Sequence, residues 1–87
     1  MSIKSDLRIL GREIGVFMSI YRKRINIIER RLDSIRKHAE DYKKNHGRPQ
    51  TYYVDEIDAL ERTLELLRLR LWSIEDMHAH IVTMLDK

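Results

Sequence analysis

Between Tyr53 and Leu85 one spacing governs the chain. Tyr53, Ile57, Leu60, Leu64, Leu67, Leu71, Ile74, His78, Ile81 and Leu85 follow one another at alternating intervals of four and three residues. That 3.5-residue period is the a/d seam of a coiled coil, and a seam so regular demands a partner helix. His78 alone interrupts its apolar character.

The preceding half supplies the partner. A stripe of Ile3, Leu7, Leu10, Ile14, Met18, Tyr21, Ile25, Ile28, Leu32, Ile35, Ala39 and Tyr42 has the same alternation, except for two consecutive intervals of four around Ile14. Such a stutter predicts a local relaxation of the left-handed supercoil. Ser2 or Ser5 is placed to cap this helix, with Asp6 near its positive dipole end. Asn45, His46, Gly47, Arg48, Pro49 and Gln50 form the one clear break: glycine or asparagine suits the left-handed residue that ends a helix, and proline beyond it blocks continuation. Thr51 is the expected cap of the next helix. The chain 1–87 therefore reads as one all-α domain, a helix at about 5–44, a turn at 45–51 and a helix at about 52–86. A short break favours antiparallel neighbours. Folding there sets Tyr42 near Tyr53, Ile28 near Leu67 and Ile14 near Ile81, a coiled-coil-like helical hairpin.

Several apolar residues lie off these stripes. Ile9, Val16, Phe17, Ile20 and Ile27 widen the face of the first helix, and Leu66, Leu69 and Trp72 stand outside the second seam. Gly11, Gly15 and Ser19 share a face at four-residue intervals, a spacing that reads first as close helix packing, with a tolerated kink or loose end and a functional role as lesser readings. Two helices meeting along one line bury little surface for their length. These observations predict a homodimer, two hairpins packing into a four-helix bundle, with Gly11, Gly15, Phe17, Ile20, Leu66, Leu69 and Trp72 as candidate oligomer-interface residues. Another protein is the alternative occupant of the Leu66, Leu69 and Trp72 patch.

Charge divides the arms. Residues 1–48 carry 13 Lys/Arg against 6 Asp/Glu, and the remainder 4 against 8, which gives the overall +3. Opposite charge favours the hairpin over pairing of like arms. On the first helix Lys23, Arg30, Lys37 and Lys44 recur every seven residues on one outward line, with Arg24 and Arg31 to one side. Such a ridge of about 30 Å could track phosphates of DNA or RNA. Lys23, Arg24, Arg30, Arg31, Lys37 and Lys44 are the candidate nucleic-acid-binding residues. Asp33, Glu40 and Asp41 are spaced to pair with Lys37 and Lys44 and would weaken that surface. No helix-turn-helix, zinc-finger or RNP pattern accompanies it.

Chemistry is not expected. The chain has no cysteine, hence no disulfide, thiolate site or cysteine nucleophile, which fits a reducing cytoplasm. No phosphate-binding glycine loop or nucleophile elbow is present. His78 and His80 lie two apart and point to different sides of a helix, and Asp76 with His80 makes two ligands, not a site. His78 reads first as a polar register residue, with a pH-sensitive contact or a ligand as lesser readings. Tyr42, Tyr52 and Tyr53 read as a plug at the turn rather than a base-stacking platform. No catalytic, cofactor-binding or metal-binding residue is assigned. No stretch approaches the length of a membrane span, and no secretory pattern opens the chain. A peripheral contact through the Ile9–Ile28 face is the weakest membrane reading. The sequence thus predicts a non-enzymatic, cytoplasmic interaction or scaffold module acting as a homo-oligomer, with a small nucleic-acid-binding regulator as the alternative.

Overall fold

The computed structural model describes residues 2–86. Helix α1 spans Ile3–His46 and helix α2 spans Thr51–Leu85. They lie antiparallel as a hairpin measuring 66 × 16 × 14 Å.

The helix ends follow from local chemistry. Ser2, in extended backbone, caps α1, its Oγ accepting from the Ser5 N–H at 3.2 Å, and Asp6 sits in the first turn. Of the two serines proposed as caps, Ser2 acts and Ser5 is the donor. At the far end Gly47 adopts φ 72°, and its N–H donates to the Lys43 carbonyl at 2.8 Å. This left-handed residue satisfies one orphan carbonyl at no steric cost because it has no Cβ. Lys43, Lys44 and His46 complement the negative end of the helix dipole. The start of α2 differs from expectation. Gln50, not Thr51, occupies the cap position, and no side chain accepts from the first free N–H groups. Thr51 is already helical, so its hydroxyl cannot serve as the cap.

All ten residues of the α2 seam are buried or half-buried. Only Glu56 and Glu75 join them among the described residues of that helix. On α1 the stripe needs one correction. Leu10 is 45% exposed and Ile3 78% exposed, whereas Gly11 is withdrawn from solvent. With Gly11 in the stripe, Leu7, Gly11, Ile14, Met18, Tyr21 and Ile25 continue to Tyr42 in unbroken four–three alternation, so the stutter vanishes. A Cβ on Gly11 would stand 3.5 Å from Ile81 Cγ2. That is ordinary van der Waals distance, so Gly11 takes a seam position facing Ile81 with room for a small side chain. The core holds Ile25, Leu32 and Leu64, with Ile28, Ile57, Leu60, Leu67 and Leu71 packed around them. Ile14 and Ile81 are buried nearer the open end.

Register is held by charge as well as shape. On one flank Arg22 faces Glu75 at 4.0 Å, Glu29 faces Arg68 at 3.9 Å, and Arg36 faces Glu61 at 2.7 Å. The sign alternates along each helix. A slip of one heptad in either direction would set Arg22 against Arg68 or Arg36 against Arg68, with a glutamate pair beside it. Each exposed pair contributes little, about 0–1 kcal/mol. Their alternation nevertheless makes a one-heptad slip in either direction repulsive.

Candidate functional site

Each residue outside the seam belongs to one flank of the hairpin or to its outer ridge. The first flank is the one just described, with three ion pairs. Its groove is lined by Glu29, Asp33, Arg36, Glu61, Glu65, Arg68, Leu69 and Trp72 over Leu32 and Leu64. Apart from Trp72 and Leu69 its rim is charged. Gly15 also lies on this side, where nothing stands within 4 Å of a Cβ built upon it.

The opposite flank has one ion pair, Arg31 to Glu56 at 2.9 Å, close to the turn. Toward the open end it becomes apolar. Ile3, Leu10 and Phe17 recur at seven-residue intervals along α1, and Met77 and Met84 do so along α2. All five are exposed. Ile20 and Ile27 lie one line further out on α1, and a shallow groove nearby is lined by Tyr21, Leu66, Leu69, Arg70, Ser73 and Ile74. The expected interface residues are thereby divided. Phe17, Ile20 and Leu66 share the apolar flank, Trp72 and Gly15 fall on the charged one, Leu69 touches both grooves, and Gly11 is used inside the hairpin. Sequence reasoning passed over Ile3, Leu10, Met77 and Met84 as interface candidates. Their seven-residue spacing was the available signal.

Among the basic residues, Lys23, Arg24, Arg30, Lys37 and Lys44 make no ion pair among the described residues. Arg31 is engaged by Glu56. The expected pairing of Lys37 and Lys44 with Asp33, Glu40 and Asp41 is not formed. Lys23, Arg30, Lys37 and Lys44 are all exposed on one line along the back of α1.

At the turn, Tyr42 stacks on His46 with ring centroids 4.0 Å apart and meets Tyr53 edge-on at 6.0 Å. His46 Nδ1 lies 3.0 Å from the Tyr42 carbonyl oxygen, which accepts when that nitrogen carries the proton. Tyr52 packs edge-on against Tyr53 at 5.5 Å. His78 is half-buried in the α2 seam. His80 stands 3.7 Å from Asp76 in full solvent. No three His, Cys, Asp or Glu side chains converge among the described residues. No helix described is long and apolar enough to cross a membrane.

Comparison of the chain with protein-family models, curated proteins and solved structures finds no match in any of the three.

Proposed function

We propose that this chain is a non-enzymatic helical-hairpin interaction module that acts as a homo-oligomer, two hairpins packing into a four-helix bundle in the cytoplasm. The observation that carries this reading is the exposed apolar flank. Ile3, Leu10, Phe17, Ile20, Met77 and Met84 stand in solvent beside a core that, among the described residues, holds five buried side chains, Ile14, Ile25, Leu32, Leu64 and Ile81. Contiguous apolar surface on a small rod marks a contact face, whereas scattered single residues would not. Sedimentation equilibrium at micromolar concentration is expected to return twice the chain mass. A monomer throughout that range would overturn the reading.

A second reading is favoured by the basic line on the back of α1: a small nucleic-acid-binding regulator whose Lys23, Arg30, Lys37 and Lys44 contact phosphates. In this reading duplex DNA or structured RNA binds with an affinity that falls steeply as salt rises. Arg30→Glu combined with Lys37→Glu is expected to abolish binding in fluorescence anisotropy while leaving helicity unchanged. Unchanged binding would remove this reading.

A further inference from the structure

Helix α1 carries a second seam on its solvent face, and its pattern is self-complementary when reversed. Ile3, Asp6, Leu10, Glu13, Phe17, Ile20, Arg24, Ile27, Arg31 and Ser34 alternate at intervals of three and four, and every one is exposed in the hairpin. Two lines recurring every seven residues and separated by three have the spacing of a coiled-coil seam, here half apolar and half polar. We propose that this surface is covered by the same surface of a second copy of the chain, running antiparallel, in the register that sets Phe17 level with the partner's Ile20. This rests on the self-association reading above and specifies its interface.

The register follows from matching levels. With Phe17 opposite the partner's Ile20, Leu10 falls opposite the partner's Ile27. Glu13 then meets the partner's Arg24, and Asp6 the partner's Arg31. Symmetry repeats each match on the other side of the two-fold axis. Two apolar layers thus lie at the centre and two more outside them, alternating with four opposite-charge pairs. Shifting the partner by one heptad sets Phe17 against the partner's Glu13 in one direction and Arg24 against the partner's Ile20 in the other. A parallel in-register pairing of the two α1 helices would oppose Asp6, Glu13, Arg24 and Arg31 each to itself, which like-charge repulsion disfavours. In the hairpin Asp6, Glu13 and Arg24 make no ion pair among the described residues, so these charges are free to be met from outside. Arg31 holds Glu56 through one guanidinium nitrogen and keeps further donors for a second carboxylate. The ion pairs that close the other flank leave it no comparable apolar seam.

The pairing also sets the shape of the assembly. Two 66 Å rods overlapping from residue 3 to residue 34, about 48 Å at the helical rise, span about 85 Å. The two turns, each with its Lys37 and Lys44, project at opposite ends.

The test is a charge swap read by sedimentation equilibrium, with circular dichroism to follow helicity. Glu13→Arg and Arg24→Glu each turn opposite-charge contacts into like-charge ones. Each is expected to raise the dimer dissociation constant about tenfold or more, with helicity retained because both residues are exposed and neither makes an ion pair among the described residues. The double variant Glu13→Arg/Arg24→Glu restores opposite charge across an antiparallel pair and is expected to return the dissociation constant to within about threefold of the parent. If the parent protein is a monomer, both this inference and the self-association reading fall. A dimer indifferent to either single change, or one that both singles weaken and the double does not restore, overturns this interface and leaves self-association standing.

Discussion

The two flanks of the hairpin are built from the same heptads and differ in what they accomplish. One carries Arg22–Glu75, Glu29–Arg68 and Arg36–Glu61, three ion pairs that join its two helices. The other has, among the described residues, one interhelical ion pair near the turn and then Ile3, Leu10, Phe17, Met77 and Met84 in solvent. Charge near a seam mainly fixes register, while apolar surface beside a seam supplies association energy. The hairpin thus separates the device that aligns its own two helices from the surface it has left to offer another molecule.

Five tests break or sharpen that contrast, the strongest first. Leu64→Ala strikes the core that both flanks share. Leu64 is 6% exposed, and its truncation is expected to cost about 2–5 kcal/mol by chemical denaturation. A loss below about 1 kcal/mol would mean that the Ile25, Leu32 and Leu64 cluster is not the centre of the fold. Gly15→Ala belongs to the charged flank, where an added Cβ meets nothing. It is expected to raise stability by up to about 1 kcal/mol through helix propensity, and oligomer mass should not change. Reduced association would move the contact surface to that flank. The same substitution at Gly11 should gain at least as much, since its Cβ would stand 3.5 Å from Ile81 Cγ2, an ordinary packing contact.

Glu29→Arg sets like charges against Arg68 in the middle of the ion-pair row. About 0.5–1 kcal/mol should be lost, and added salt should recover part of it. Salt-independent destabilisation would point to packing instead. The smallest effects compare one pair from each flank by double-mutant cycles. Arg31–Glu56 has its carboxylate side chain 26% exposed, while both partners of Arg36–Glu61 are at 50%. Coupling within about 0.2–1 kcal/mol is expected for each, with the drier Arg31–Glu56 pair the larger. The reverse order would show that solvent screening does not rank these pairs.

Much of this architecture was legible because coiled-coil seams are written in local periodicity. The α2 stripe needed no adjustment, the antiparallel match of Tyr42 with Tyr53 follows from folding at Gly47, and the ring contact is formed. Other readings fail for physical reasons. Hydrophobicity assigns Leu10 to the stripe, but the phase of the seam puts Gly11 there, and no apolar scale marks a glycine as a seam residue. Residue type makes Thr51 a cap, yet Gln50 holds the extended backbone that defines the position. Lying off the seam does not give a side of the hairpin, so that criterion groups Trp72 with Leu66 although they line opposite grooves.

The sequence alone determined that two long helices form, where they break and which stripe of α2 faces inward. Those features depend on neighbours within one or two turns of the same helix, and the heptad encodes them directly. The tertiary structure decided which flank each remaining side chain occupies, that Arg31 is held by Glu56 while Lys23, Arg30, Lys37 and Lys44 make no ion pair among the described residues, and that Gly11 faces Ile81. Those outcomes depend on how far each helix is rotated about its axis relative to the other. That rotation is set by packing across the hairpin and by no residue's local preference.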